Sequence, residues 1–487
     1  MRANYQTNAT VQFRVLSDDQ IDQIVLAALE VLERTGVRLF APEAVDLLRQ
    51  GGAQVSDDTL VKIPSWMVKA ALATAPQRIT MADRNGRRCM TLEPNRCYYG
   101  TGSDCPFILD ADSGERRQFT YDDVAAAARI ADALKDIDFF MSLGLCSDVP
   151  IYSYDVHQFL AMVSNTLKPT IVTAVSRDTY ADIHRMCCAI AGSEEAFRMN
   201  PFMGLYAEPT SPLSHTRLAT EKLLYSAEHF IPVVYTPCPI AAGTAPATMA
   251  GVLVLGLAEC LSGLVMAQLK APGAPVIMGG VVSILDLHTT VLSYGAPELH
   301  LLSAAFAEIC RHVNMPMFST CGCTDAKVLD EQAAIESALS TLAATLSGAN
   351  LIHDIGFLEF ALVGSYELMV MTDEIISMCK HIARGIEVND DTLAVDVIHD
   401  VGPRGQYLDH EHTLRHFRKQ FWFPRLVDRS NFETWRREGS KTYGDRARER
   451  VRDILKTHQP EPIAAATMKE LKAIVAAADK REGARKR

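Results

Sequence analysis

Between residues 96 and 387, short apolar runs alternate with longer segments of helical periodicity. Each run is about four or five residues long, and most end at Gly or at a polar residue. Short strands that alternate with helices indicate βα units and a parallel sheet. The sequence predicts eight such strands, each followed by a helix: 97–100, 139–143, 170–174, 202–206, 232–236, 276–279, 317–320 and 351–354.

Eight βα units close naturally into a barrel, so the predicted fold class is α/β, a (β/α)₈ TIM barrel. A doubly wound open sheet is the alternative, but Gly100-Thr101-Gly102 lacks the third Gly and the acidic partner of a dinucleotide loop. We predict a helical and irregular N-terminal extension over 1–95, the barrel over 96–387, and a helical tail over 388–487. Trp422 and Trp435 are the expected anchors of that tail on the barrel.

The extension and the longest apolar run carry further signals. An amphipathic helix from Asp18 ends at Gly36, and Asn85-Gly86 is typical of a hairpin turn. A second hairpin is predicted over 105–120, with its turn at 110–115. Residues 245–269 are apolar, but they are interrupted by Glu259 and several glycines, which favours a buried barrel helix over a membrane span.

Composition narrows the functional classes. The net charge of the 487-residue chain is −11, which argues against nucleic-acid binding. The basic run at 480–487 is expected to be a solvated end. The first fifteen residues have no apolar signal core, and twelve scattered cysteines indicate reduced thiols, so we expect a cytoplasmic protein with no membrane partner. Large helical surfaces favour a homo-oligomer.

Polar residues just after the predicted strands are the candidate site, because barrel enzymes work at that end. Glu208 either faces a cationic substrate or caps the helix that begins near Ser214. Asp325 either caps a helix, pairs with Lys327 or lies at the mouth.

His353 and Asp354 are adjacent in a strand, so only one of them is expected to point inward. Glu259 has a structural or a functional role, since a buried carboxylate needs a partner.

One histidine pair lies outside the barrel. His412 and His416 are four residues apart, which places them on one face of a helix. That spacing can bind a metal, with His410 or Glu411 nearby. The pair is far from any strand end, however, and we favour a solvated or packing helix face without a metal.

The chain has no nucleophile elbow and no phosphate loop, and we assign no catalytic residue. This favours a reaction in which a cofactor supplies the reactive atom. Five ordered blocks resemble the trimethylamine methyltransferase family of corrinoid-dependent enzymes: GTAPATMAG, AQLKAPGAPVIMGG, SYGAPE, TDAKVLDEQA and SGANLIHDIG. The resemblance continues in HTLRHFRKQFWFPRLVDRSNFETW.

This resemblance implies a barrel that passes a methyl group from an amine to the Co(I) corrinoid of a separate small protein. In the trimethylamine enzymes a pyrrolysine engages the amine, whereas the matching region near Thr320–Asp325 has only standard residues here. A second departure is GLAE at 256–259, where an Asn before the Glu is expected. The resemblance therefore favours a quaternary amine, glycine betaine first, over trimethylamine; proline betaine and carnitine are further possibilities.

A quaternary ammonium needs aromatic faces and an anchor for its carboxylate. The candidate substrate-binding residues are Tyr98, Tyr99, Tyr206, Glu208, Phe318, His353 and Phe357. Strand-end glycines would let a flat corrinoid approach, although they could equally serve the βα turns. The candidate cofactor-binding residues are Gly100, Gly102, Gly280, Gly322, Asp325 and Gly356.

Two other functional classes remain open. The barrel could bind a betaine or another amine without transferring a methyl group. An aldolase-like barrel would need a reactive Lys at a strand end, and neither Lys168, which precedes the third strand, nor Lys327, which lies in a loop, is well placed.

Overall fold

The computed structural model describes residues 11–110 and 113–484. Seven parallel strands form one sheet, and bridges from Gly100 to Phe139 and from Phe140 to Thr170 insert the eighth strand and close the barrel. The predicted TIM barrel is therefore confirmed. In chain order the strands are β1 (Tyr98–Thr101), β2 (139–140), β3 (Thr170–Val172), β4 (Met203–Ala207), β5 (Val233–Tyr235), β6 (Val276–Gly279), β7 (Met317–Thr320) and β8 (Leu351–Ile355).

One long helix follows each strand. They are α1 (Tyr121–Ala133), α2 (Tyr154–Asn165), α3 (Arg177–Ala191), α4 (Arg217–Glu228), α5 (Met249–Lys270), α6 (Pro297–His312), α7 (Glu331–Ser347) and α8 (Tyr366–Ala383). Local sequence sets where they begin: Thr120, Ser176 and Asp330 accept hydrogen bonds from first-turn N–H groups of α1, α3 and α7.

The N-terminal extension covers one side and the bottom of the barrel. Its helices Asp18–Glu30, Pro42–Gln50 and Ser65–Thr74 pack on α5. The predicted helix end at Gly36 is confirmed, with φ +79° after a π turn at Val31–Thr35. Three short strands lie between these helices: Val37–Leu39, Gln54–Ser56 and Leu60–Lys62.

The hairpin predicted at Asn85-Gly86 is also confirmed, with strands Ile79–Ala82 and Arg88–Leu92. Its apolar side chains join the inward-facing residues of the barrel in one buried cluster. The hairpin therefore closes the amino-terminal end of the barrel and leaves the other end for a site.

Helix α5 is long and apolar enough to cross a membrane, and it is the one described helix with that property. In its most apolar window 78% of the residues are buried inside the protein. The extension and the neighbouring barrel helices enclose it, as the polar interruptions predicted.

Loops after the strands build a rim around the carboxyl-terminal end. Strands Phe107–Leu109 and Arg116–Gln118 form the second predicted hairpin and join Phe357–Leu358 and Val363–Gly364. Part of its predicted turn, residues 111–112, lies outside the described residues. Ile240–Ala241, Ser283–Asp286 and Val291–Leu292 form a second small sheet on this rim, and Ser214–His215 pairs with the N-terminal extension.

The tail runs back over the barrel helices. Helix Tyr443–Thr457 packs on α8 and α1, and Ala465–Ala484 packs on α3 and α2. Trp422 anchors the tail by donating from Nε1 to Ser377 Oγ on α8, at 3.0 Å, whereas Trp435 donates within the tail to Lys441 O. The other tail helices are Asp390–Leu393, Val395–Val401, Glu411–Gln420 and Phe432–Arg437.

Three sequence predictions concern the surface and the thiols. All twelve cysteines are free and eight are buried, as expected of core thiols. The end of the basic run, residues 485–487, lies outside the described residues. Ile386, Leu408 and Leu414 are exposed on the tail. The homo-oligomer and the two domain boundaries stay predictions.

Candidate active site

The carboxyl-terminal end of the barrel is polar, in contrast to its interior. Ile171, Val234, Ile277 and Phe318 point inward and fill the lower barrel. Because inward-facing positions alternate along a strand, the next layer presents Thr173, Tyr206, Thr236, Thr320 and His353. We call this layer, together with the carboxylates described below, the barrel mouth.

Three predicted substrate residues form an aromatic cluster, in which Phe318 of the lower barrel lies against Tyr206 and His353 of the mouth. The ring of Phe318 lies 3.9 Å from the ring of His353, and Tyr206 lies 5.4 Å from Phe318 and 6.2 Å from His353, measured between centroids. The rings are tilted by 33–41° rather than crossed. Together they make an aromatic face at the end of β4, β7 and β8.

Glu208 lies beside this aromatic face. The hydroxyl of Tyr206 donates a hydrogen bond to Glu208 Oε2 at 2.8 Å. Desolvation by the surrounding protein raises the pKa of Glu208. The side chain nevertheless has solvent-exposed surface, so Glu208 lines a solvent-filled recess. The alternative that Glu208 caps α4 is wrong, because Thr216 accepts the hydrogen bond from Ala219 N there.

His353 and Asp354 meet in the mouth. The expectation that only one of them points inward is wrong, because the register of β8 shifts between Ile352 and Ile355 and Asp354 adopts φ +78°. His353 Nε2 consequently lies 3.0 Å from Asp354 Oδ1, and its Nδ1 donates to Ser319 O at 2.8 Å. The hydrogen bond from Nδ1 to Ser319 O fixes the ring so that Nε2 faces the carboxylate of Asp354.

A third carboxylate, Asp104, was not predicted. It follows β1 with φ +66° and accepts from Thr173 Oγ1 at 3.2 Å and from Gln158 Nε2 at 3.4 Å. Burial raises its pKa. Its position, three residues after the end of β1, is the signal in the sequence that could have identified it.

Lys222 and Tyr294 were also missed. Lys222 Nζ donates a hydrogen bond to Ala174 O, just after β3. Burial lowers the pKa of Lys222, and the nearby carboxylates of Asp104 and Glu208 oppose this shift. Tyr294 is buried, and burial and Asp354 raise its pKa well above the usual value. Neither residue lies at a strand end, so no local pattern indicated them.

Some polar atoms of the mouth have no protein partner. The hydroxyls of Thr236 and Thr320 and the Oδ2 atom of Asp354 are buried and make no hydrogen bond. A buried polar group without a partner costs about 1–3 kcal/mol. These atoms therefore mark where water or a polar ligand would be stabilised.

The two adjacent tyrosines do not reach the mouth. Tyr98 points into the lower barrel, where its hydroxyl accepts from Thr91 N of the hairpin at 3.0 Å. Tyr99 points outward to α7, and its hydroxyl lies 2.7 Å from Thr345 Oγ1. Alternation along β1 sends one side chain to each of these places, so the prediction that either lines the mouth is corrected.

Phe357 is at the mouth, but it is packed there. Its ring fills the space that a side chain at Gly102 would take, 2.0 Å from the ideal Cβ position. It also meets Tyr294 edge to face, with centroids 6.2 Å apart. Phe357 thus forms a wall of the mouth and has only 3% of its surface exposed.

The predicted cofactor glycines face protein rather than an open surface. All five are buried, and a Cβ atom on any of them would clash with a neighbour at 2.0–2.8 Å. They allow close packing within the barrel and its rim, which corrects their assignment to a surface for the corrinoid. The neighbours are Phe139 for Gly100, Phe357 for Gly102, Pro237 for Gly280, Thr372 for Gly322 and Met369 for Gly356.

Asp325, the other predicted cofactor residue, holds the rim. Its carboxylate accepts from the hydroxyl of Ser293 and from Tyr294 N at 2.7 Å. Lys327 donates to the backbone oxygen of Asp325 instead of pairing with its carboxylate, and Asp330 caps α7. Asp325 therefore positions Tyr294 and does not itself face the mouth as a ligand.

Glu259 is buried in α5 and clamps the loop that follows β4. Its carboxylate accepts from Leu213 N at 2.6 Å and from Ser211 Oγ at 2.7 Å. Burial raises its pKa from the ordinary 4.5 to about 7. This supports a structural role for Glu259 at the mouth.

The raised pKa of Glu259 predicts a pH-dependent stability. Between pH 4.5 and 7 the folded protein keeps a proton on Glu259 that the unfolded chain releases, so folding takes up a proton. The free energy of unfolding therefore falls as the pH rises through this window, by about 3 kcal/mol, and levels off above it. Glu259→Gln keeps both hydrogen bonds without a titrating group, so it should lack this contribution. Urea unfolding of both proteins from pH 4.5 to 8 measures the difference; parallel profiles would refute a protonated Glu259.

The mouth combines an aromatic face with three carboxylates, from Asp104, Glu208 and Asp354. The side chains of Lys222 and His353 lie beside them. Such an arrangement suits a small ligand that carries a cation at one end and an anion at the other. The group includes no nucleophile with a base beside it, as a covalent mechanism would need.

Sequence comparison finds relatives of this chain over nearly its full length. The family model of trimethylamine methyltransferase (MTTB) matches residues 1–483. Trimethylamine methyltransferase MttB of Methanosarcina barkeri is 34% identical over 491 residues, covering 96% of each chain. The MttB of Desulfitobacterium hafniense is 33% identical over 467 residues, covering 94% of this chain and 92% of that one.

Two further relatives bear on substrate and fold. The glycine betaine methyltransferase of Desulfitobacterium hafniense is 29% identical over 476 residues, covering 97% of this chain and 98% of that one. The crystal structure of monomethylamine methyltransferase MtmB of Methanosarcina barkeri superposes with a TM-score of 0.53 at 12% identity, covering 91% of this chain and 88% of that one. At that identity the superposition concerns the barrel fold alone.

Proposed function

Because the chain belongs to the trimethylamine methyltransferase family, we propose that it transfers a methyl group from a quaternary amine, glycine betaine first, to the Co(I) corrinoid of a separate small protein. The observation that carries this proposal is the mouth, where an aromatic face adjoins three carboxylates. The similarity to a glycine betaine methyltransferase supports the choice of donor.

The aromatic face and the carboxylates would hold the trimethylammonium end. A cation over an aromatic ring gains about 0.5–2 kcal/mol. Tyr206 offers the accessible ring, with the buried ring of Phe318 packed against it, and Glu208 and Asp104 offer the negative charge. These groups bind without forming a covalent bond to the amine.

The carboxylate end of a betaine needs a cation or N–H donors. His353 Nε2 lies 3.0 Å from Asp354 Oδ1, and Lys222 lies near Asp104 and Glu208 with one described hydrogen bond, to Ala174 O. We propose these two side chains as the anchors, with Lys222 added to the anchors that the sequence predicted. Trimethylamine has no carboxylate and would leave both without a ligand.

The chemistry explains why the mouth needs no general acid. The methyl carbon exchanges its bond to nitrogen for a bond to the Co(I) centre of the acceptor, and the electron pair of the broken bond stays on nitrogen. The leaving group is a neutral tertiary amine, so no proton has to be added. The protein contributes by holding the ammonium so that one methyl points out of the barrel.

The same reasoning disfavours trimethylamine as the donor. Trimethylamine lacks the permanent positive charge that makes nitrogen a good leaving group. The chain contains only standard residues, so the pyrrolysine that activates the amine in the trimethylamine enzymes has no counterpart.

An anaerobic spectral assay tests the proposal. The protein is mixed with chemically reduced cob(I)alamin and, in turn, with glycine betaine, proline betaine, carnitine and trimethylamine. We expect the Co(I) absorption to disappear with a betaine and to persist with trimethylamine, because only the former fits both ends of the mouth.

Two outcomes would contradict the proposal. Consumption of Co(I) with trimethylamine alone would show that the donor is a tertiary amine. Persistence of Co(I) with every amine, while a betaine raises the melting temperature, would identify a binding protein that does not transfer methyl groups.

A further inference from the structure

The tail contains a cluster that the proposed function does not use. His412 and His416 lie on one face of the helix Glu411–Gln420, with ring centroids 4.2 Å apart. The sequence analysis considered His410 or Glu411 as a further ligand and favoured a helix face without a metal. The structure brings Asp391 to it, from the short helix Asp390–Leu393 about twenty residues earlier.

Both rings present the same nitrogen to Asp391. His416 Nε2 lies 3.2 Å from Asp391 Oδ2, and His412 Nε2 lies 3.4 Å from Asp391 O. His416 Nε2 is buried and has no hydrogen bond, so its contact with the carboxylate is not aligned as one. The pair therefore has an unsatisfied nitrogen aimed at a carboxylate.

We propose that His412, His416 and Asp391 bind a divalent transition metal ion, Zn²⁺ or a similar borderline cation. Ligand atoms of a tetrahedral zinc ion are about 3.3 Å apart, close to the Nε2–Oδ2 distance here. Two imidazoles select Zn²⁺, Co²⁺ or Ni²⁺ over Mg²⁺ and Ca²⁺. Asp391 is 58% exposed, which leaves room for water at the fourth position.

The metal would fasten two tail segments together. His410 Nδ1 already accepts from His412 N at the start of the helix, so His410 is committed to the cap. With the ion bound, residues 389–393 are held against the helix Glu411–Gln420. The site lies outside the barrel and acts on the tail rather than on methyl transfer.

The other His-containing group of the described chain serves as a control. His184, Glu194 and His229 also lie together, but His184 Nδ1 is 3.0 Å from Tyr225 Oη and His229 Nδ1 is 2.9 Å from Glu194 Oε1. These side chains satisfy one another, so a metal is not needed to explain their arrangement. Glu194 and His229 are accessible enough to substitute safely.

Calorimetric titration of the untagged, chelator-treated protein with ZnCl₂ tests the proposal. We expect one Zn²⁺ per chain and a higher melting temperature when it is bound. Loss of a supporting group around a metal weakens binding by roughly 10- to 100-fold, so loss of a ligand in His412→Ala or His416→Ala should weaken it at least as much. Asp391→Asn, at an exposed position, provides a variant with little risk of misfolding.

Control measurements make the result decisive. The His229→Gln variant should bind Zn²⁺ as the native protein does, and Co²⁺ should give visible bands without a thiolate charge-transfer band. Equal metal-free melting temperatures show that the variants fold. Absence of Zn²⁺ binding, full binding by His416→Ala and Asp391→Asn, or loss of binding in His229→Gln would each overturn the proposal.

Discussion

A Glu208→Gln variant is expected to lose about tenfold to a hundredfold in kcat/KM for the betaine donor. Two unit charges about 5 Å apart attract by about 3 kcal/mol at an effective dielectric constant of 20, equivalent to about a hundredfold, and the exposure of Glu208 to solvent reduces this. Gln can still accept the hydrogen bond from Tyr206, so the variant removes the charge and preserves the geometry.

The loss should appear in KM rather than in kcat. The positive charge on the amine diminishes as the methyl group leaves, so Glu208 stabilises the bound substrate at least as strongly as the transition state. Glu221→Gln is the matched control, because Glu221 pairs with Arg217 on the outer surface of α4. Equal KM values for Glu208→Gln and the native protein would show that Glu208 does not face the ammonium group.

The sequence predicted the barrel because its signal is repeated. All eight predicted strands correspond to strands or bridges of the barrel, and 276–279 and 317–320 have the predicted bounds. Each strand is mainly apolar because both of its faces are buried, and five of the eight barrel helices begin at a residue whose side chain caps the first turn. Because the strand–helix pattern occurs eight times, it predicts the fold without any knowledge of tertiary contacts.

The site was only partly predictable, because side-chain direction depends on local backbone geometry. Alternation could not assign Tyr98 and Tyr99 to a side until the register of β1 was known. At Asp354 a shift in register and a positive φ overrode alternation altogether. The glycines gave a false signal, because close packing and ligand approach require the same small residue.

Contacts between residues far apart in the chain could not be predicted from local sequence patterns. Asp391 completes the histidine cluster, and Glu374 meets the tail about fifty residues later, yet neither has a local pattern. Such pairs become visible only when the tail is folded onto the barrel.

A Glu374→Ala variant is expected to release the tail and to lower the free energy of unfolding by about 3–5 kcal/mol, as breaking a buried ion pair does. Glu374 on α8 is 1% exposed, and its Oε1 accepts from three consecutive N–H groups of Arg425, Leu426 and Val427 at 2.8–3.1 Å. Its Oε2 accepts from Arg425 Nε at 3.1 Å. Truncation leaves these donors without their partner in a half-buried position.

Limited proteolysis and urea unfolding of the full chain distinguish release of the tail from general loss of stability. Glu374→Gln keeps an acceptor for the three N–H groups and loses the charge, so its loss should be smaller than that of Glu374→Ala. Glu387→Ala is the control, because Glu387 and Lys419 form an exposed pair, worth at most about 1 kcal/mol.

Arg425 also pairs with Asp136 and Asp373, so part of the contact between tail and barrel remains in the variant. Cleavage should therefore begin in residues 388–442 before the barrel unfolds. Cleavage of Glu374→Ala at the native rate would mean that those other ion pairs fix the tail and that the three N–H bonds are dispensable.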